Sequence, residues 1–229
     1  PCSEWGAIQR EARAATAREI PTRDAWTRDE VAAMLALALE REPLLHPILL
    51  AALHTGARRG ELLALRWEDI DLRGRRVHFR RTATPSGGTR QPKTGKPRQV
   101  PLSETLALVL QAQRARSELH VFPSPRGRAW AERNMERTWM RLRAGFRAVK
   151  VRCFPFHATR HTFISWALDA GHPARQVAEW AGCSLDVIER HYGHAIPGRS
   201  DMSWLDGKPV RAAHPMEPAG VQVLGKALH

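Results

Sequence analysis

Between residues 75 and 102 the chain changes its rhythm. On either side, apolar residues recur at helical spacing. Within the stretch, "RRVHFRR" (75–81) alternates as a strand does. "QPKTGKPRQVPL" (91–102) then reads as a second strand, a turn at Thr94-Gly95 and a third strand ending at Pro101. A helical chain interrupted once by so short a β segment is expected to fold as a mainly α domain. A small antiparallel sheet (α+β) would be inserted near its middle.

The helical parts can be placed by their start and stop signals. "TRDEVAAMLALALE" opens on Thr27 as an N-cap with acidic residues in the first turn. A second helix over 43–54 ends at "TG", and "RGELLALRW" starts a third just after Arg58 and Arg59. This order puts "TGARRGE" at a tight helix–turn–helix corner, where Gly56 relaxes the backbone. Ser103 and Glu104 start the next helix. Further helices are expected over 131–149, 158–170, 174–181 and 185–192. Residues 1–26, rich in Arg, Ala and Glu, read as a linker, and 27–196 as one domain. The Pro/Gly-bearing stretch 197–229 reads as a loosely docked or disordered tail.

The formal net charge is +13, and among 36 basic residues only Lys93, Lys96, Lys150, Lys208 and Lys226 are lysines. The arginine fork matches phosphate oxygens, so the balance suits a polyanion, most simply nucleic acid. A G+C-rich coding sequence would also supply Arg and Ala freely. No apolar run approaches the ~18 residues of a membrane span, so no membrane association is expected.

Four clusters carry groups capable of chemistry, and each has an ordinary reading beside the chemical one. Arg58 and Arg59 sit where a helix corner also leaves backbone N–H groups free, which suits a phosphate; a solvated charge pair is the alternative. Lys93, beside a hairpin turn, could reach a substrate or simply solubilise an edge. In "HATRHT" (157–162), His157 and Arg160 are three apart and can converge on one anion, with His161 and Thr162 expected to turn toward another side. His157 and His161, with His191 and His194, could instead suggest a metal. No H-E-x-x-H or C-x-x-C element accompanies them and Arg160 would repel a cation, so neither metal nor cofactor is expected. Tyr192, in "ERHYGHA", is the only tyrosine beside 8 Trp and 6 Phe. A phenol with a pKa near 10 is a weak nucleophile unless cations lower that value or a base takes its proton. The ordinary reading is a core aromatic.

Together the clusters resemble the tyrosine recombinase (phage integrase) family in order and approximate spacing. "TGARRGELLALRWEDID" is similar to its first arginine box, which implies a catalytic role for Arg58 and a buried structural acid at Glu61. "KTGKPRQVPL" resembles the β-hairpin box, with Lys93 at the catalytic lysine. "HATRHTFISWALDAG" resembles the H-x-x-R box, with His157 and Arg160, and "VAEWAGCSLDVIERHYGH" resembles the last box, with Tyr192 as nucleophile. The match spans about residues 27–195. One position departs: Ala181-Gly182-Cys183 stands where the family has leucine-glycine-histidine or tryptophan. Cys183 is a weak donor.

The resemblance implies a site-specific recombinase acting on double-stranded DNA through a 3′-phosphotyrosine, with no small-molecule substrate and a cytoplasmic location. Arg59, Lys96, His161 and His194 become candidate DNA contacts. Residues 1–26 would be what remains of the link to an N-terminal DNA-binding domain. Residues 197–229 could pass to a neighbour in a tetramer on DNA. A type IB topoisomerase and a non-catalytic DNA-binding remnant, the latter suggested by Cys183, compete with this reading.

Overall fold

The computed structural model describes residues 25–84, 88–91 and 97–193. Thr27 starts the first helix as its side chain predicts. Its hydroxyl accepts the Glu30 N–H (3.2 Å) and its own N–H donates to Glu30 Oε2 (2.8 Å), a reciprocal cap on α1 (Arg28–Arg41). The second helix, α2 (His46–Thr55), buries residues on every side, from Pro47 and Ile48 round to Leu53 and Thr55, and lies at the centre of the core. It ends at Gly56, whose φ of +62° suits the residue without a side chain; a Cβ there would stand 2.3 Å from Phe163 Cδ1.

The third helix, α3 (Arg59–Leu63), is only five residues long. The helix expected through Trp67 stops early because the buried Asp69 carboxylate accepts the Arg66 N–H (3.0 Å) and draws Trp67–Asp69 into a 3₁₀ turn. Strands β1 (Ile70–Asp71), β2 (Arg76–Phe79) and β5 (Arg98–Pro101) form an antiparallel sheet in the order β1-β2-β5, with Val77 opposite Val100 and Phe79 opposite Arg98. Strands β3 (Thr82–Ala83) and β4 (Thr89–Arg90) form a separate pair. The third expected strand is thus β5, paired with the 75–81 strand, while the residues just before 91 pair with β3. The turn around Thr94-Gly95, with Lys93 and Lys96, lies outside the described residues.

Ser103 caps α4 (Glu104–Gln113) by accepting the Leu106 N–H (3.2 Å). The helix expected over 131–149 is α5 (Glu132–Ala144). Beyond Gly145 the chain tightens, and the Val151 N–H returns to Phe146 O (2.9 Å). Three helices follow: α6 (Ala158–Asp169), α7 (Ala174–Ala181) and α8 (Leu185–Tyr192), the last capped by Ser184.

Two apolar clusters result. The larger spans Trp26, α1, α2, the sheet and α5, and centres on Trp139, whose ring meets Trp26 (6.2 Å), Phe146 (5.4 Å) and Phe156 (5.4 Å) edge-on. The smaller joins Ile164 and Leu168 of α6 to Val177 and Ala181 of α7 and to Ile188 and Tyr192 of α8. Trp26 ties the start of the described fold to the α6 side: its N–H donates to Thr162 Oγ1 (3.0 Å) and its indole N–H to Arg152 O (2.8 Å). No described helix is long and apolar enough to cross a membrane.

Candidate functional site

Three guanidinium groups from distant segments meet the C-terminus of α7. Arg98 Nε donates to Trp180 O (2.8 Å), Arg160 Nη1 to Ala181 O, and Arg58 Nη2 to Gly182 O (2.9 Å). Arg160 Nη1 also donates to Gly56 O (2.8 Å). A helix end leaves its last carbonyls without partners and carries partial negative charge, so it attracts cations. Gly182 makes the approach possible. Its φ is +66°, and a Cβ would lie 3.0 Å from both Arg98 Cδ and Arg98 Nε.

Glu61 holds the cluster from the other side. It is 2% exposed and accepts two bonds from Arg98 (2.7 and 2.6 Å), one from the Arg58 N–H (2.7 Å) and a longer one from Arg58 Nη1 (3.4 Å). Burial alone would raise its pKa, but the hydrogen bonds and charge of Arg98, helped by Arg58, hold the carboxyl below its ordinary value. Arg98 is set in place by the sheet: its Cζ lies 4.6 Å from the ring centre of Phe79, its cross-strand partner. Arg98 was not among the residues singled out from the sequence. A strand arginine reads as an edge charge. The available signal was Glu61, since a buried carboxylate requires a cation.

Arg160 is itself buried, 5% exposed. Burial first, then the charge of Arg58, pushes its pKa down to about 10, which leaves it protonated at neutral pH. His157, at the N-terminus of α6, is pushed down to about 4 by burial and by His161, Arg160 and Arg58. His161 is lowered by burial, Arg160 and His191. Both histidines are therefore neutral at pH 7.

The α8 helix delivers Tyr192 to this corner. Its ring, 6% exposed, completes the smaller apolar cluster, and Oη lies 2.5 Å from His161 Nδ1. The His161 ring also meets the His157 ring edge-on at 5.1 Å. The expectation that His161 turns to another side is corrected. His157 at the N-cap and His161 one turn later share a face, and that face looks at Tyr192. Thr162 does turn away; its hydroxyl donates to Ala158 O (2.8 Å).

A groove of about 460 Å³ opens beside Arg58 and His157, with Arg90 on one wall and Glu132 and Glu136 of α5 on another. Arg59 faces those acids, bonded to Glu136 and 3.6 Å from Glu132 Oε1. Cys183 is half-buried against the smaller cluster and its N–H donates to Ala178 O (3.1 Å). The Trp180 ring nearby meets the His172 ring at 4.9 Å. Among the arginines of 73–81 and 133–147, Arg81 is bound to Asp69 and Glu68, and the exposed Arg141 to Glu42. Arg73, Arg76, Arg133 and Arg137 stay exposed. His194 lies outside the described residues. Among the described residues no group of His, Cys, Asp and Glu is arranged to hold a metal.

The Phage integrase family model matches residues 26–198. The chain is 29% identical over 185 residues to a tyrosine recombinase XerC-like protein of Caldanaerobacter subterraneus subsp. tengcongensis, covering 67% of this chain and 46% of that one. It is 31% identical over 166 residues to a shufflon-specific DNA recombinase of Escherichia coli, covering 72% of this chain and 34% of the other. It thus spans less than half the length of these two relatives. The Tn1549 transposon integrase, solved in complex with transposon right end DNA, shares the fold at a TM-score of 0.67 and 17% identity, over 80% of this chain and 64% of that one. With the family model running the length of the described fold, the chain belongs to the phage integrase family.

Proposed function

We propose that this chain carries the strand-transfer site of a site-specific DNA recombinase. Tyr192 Oη attacks a DNA phosphodiester in line, giving a 3′-phosphotyrosine and a free 5′-hydroxyl, and a hydroxyl from another strand reverses the step. Arg58 and Arg160 bind the non-bridging oxygens as negative charge redistributes, giving charge-assisted bonds that strengthen in the transition state. Lys93 protonates the leaving oxygen, and His157 helps to orient the phosphate. The energy of the broken bond is kept in the phosphotyrosine, so the reaction needs no nucleotide and no metal.

The observation that carries the reading is the meeting of Arg58, Arg160 and His161, the last with Tyr192, at one corner built from separate segments of the chain. In the same reading the exposed arginines of 73–76 and 133–137 bind DNA phosphates without reading sequence, and copies of the chain assemble on DNA. The test is covalent capture on nicked duplexes of randomised sequence. Wild-type chain is expected to form a DNA adduct that survives denaturing electrophoresis, and Tyr192→Phe to form none. A second reading rests on Cys183, whose weak thiol stands where a stronger donor is expected: DNA binding without cleavage. Retention of duplex with no wild-type adduct would favour it.

A further inference from the structure

A heavy-atom separation of 2.5 Å between Tyr192 Oη and His161 Nδ1 is one across which a proton passes without either residue moving. The two rings are 5.8 Å apart and tilted by 34°. The helices that carry them, α6 and α8, are joined through the smaller apolar cluster, so packing fixes the pair. We propose that His161 is the general base of strand cleavage, with Nδ1 taking the phenolic proton as Tyr192 Oη attacks phosphorus. The proposal rests on the reading of Tyr192 as the nucleophile.

The step balances. The Oη–P bond forms while the electron pair of the O–H bond stays on Oη and the proton moves to Nδ1. The bond from phosphorus to the 5′-oxygen breaks, and that oxygen leaves with a proton from a general acid, Lys93 in the reading above. On reversal, the DNA hydroxyl attacks phosphorus and gives its proton to the general acid that was deprotonated in the forward step, Oη departs, and Nδ1 returns its proton to Oη.

Among the described residues, the titratable and charged groups facing His161 are His157 and Arg160 on its own segment and His191 and Tyr192 from α8. Burial, Arg160 and His191 all favour the neutral ring, so at pH 7 the ring proton can sit on Nε2 and leave Nδ1 open as an acceptor. A histidine held neutral beside fixed cations is a base that works at neutral pH without competing with the arginines for the phosphate.

Tyr192 is the only tyrosine in the chain, so the protein grown with ¹³C-tyrosine gives a single phenol resonance. In the 229-residue chain without DNA, that resonance is expected to follow a protonation with its midpoint below the usual histidine value. The midpoint should persist in His157→Gln and vanish in His161→Gln. A midpoint that survives His161→Gln overturns the assignment.

Capture on nicked randomised duplexes supplies the chemical readout. At pH 7 and saturating duplex, His161→Ala and His161→Gln are expected to form adduct about 100-fold more slowly. Their rates should climb about tenfold per pH unit toward the phenol pKa near 10, whereas the wild-type rate levels off above pH ~6.5. Glutamine keeps the volume and an acceptor but cannot carry the proton, so a His161→Gln chain with wild-type melting temperature and this deficit separates proton transfer from packing. An undiminished rate or an unchanged pH profile overturns the base. A wild-type chain that forms no adduct overturns the strand-cleavage reading itself, and the base with it.

Discussion

Glu61 answers to two of the three arginines at the α7 terminus, and its removal should be felt more than that of any surface acid. Breaking a buried pair leaves an uncompensated charge, so Glu61→Gln is expected to cost about 3–5 kcal/mol in urea unfolding. Asp186→Asn, which removes an exposed pair with Arg190 on α8, should stay within about 0.5 kcal/mol. Glu61 was legible as a buried acid because the arginine box carried it. Its partner Arg98 was not, since only the register opposite Phe79 turns that side chain inward. His161 was legible as a residue but not as a contact. Its spacing from His157 puts the two on one face, yet what stands opposite that face is decided by the path of α7 and α8, which no local pattern records.

Acid stability also belongs to single residues. Burial opposes ionisation of Glu30, but its bonds to Arg152 and Thr27 lower its pKa to about 2. A depressed carboxyl contributes stability above its unfolded pKa near 4.5 and loses it as pH falls toward about 2. Allowing for solvent around Arg152, the loss is on the order of 2 kcal/mol. His157, lowered to about 4, acts in the same direction. The unfolded chain binds its proton first, so stability is complete above pH ~6.5 and declines toward pH ~4. Melting temperatures followed from pH 7 to 3 should therefore fall in two stages.

At the scale of elements, the end of α7 matters more than its length. Gly182→Ala must adopt a left-handed conformation, costing about 1–2 kcal/mol, and its methyl meets Arg98. The variant is expected to melt several degrees lower and to form less adduct even where it is folded, measured by calorimetry and by capture on nicked duplexes. Helix starts were well marked in the sequence because Thr27, Ser103 and Ser184 each cap with their own side chains. Helix ends were not. The α3 helix stops short because Asp69 binds the Arg66 amide, and α5 gives way at Gly145 to turns closed by Phe146 and Val151. The two-residue strands β1, β3 and β4 carry too little alternation to be read.

For the whole molecule, the net charge of +13 makes salt dependence the measurement of choice. If the chain binds duplex DNA through several of its exposed arginines, the logarithm of affinity should fall linearly with the logarithm of salt. Six phosphate contacts would lower affinity about a thousandfold between 50 and 200 mM. A nearly flat titration would rule out phosphate-led binding. The division into two apolar clusters has a further consequence. The larger holds most of the buried residues, so the smaller is expected to open at less cost than global unfolding. Tyr192 belongs to the smaller. The amides of its helix are therefore expected to exchange with solvent faster than those of α2 while the body of the protein stays closed, as hydrogen exchange would show.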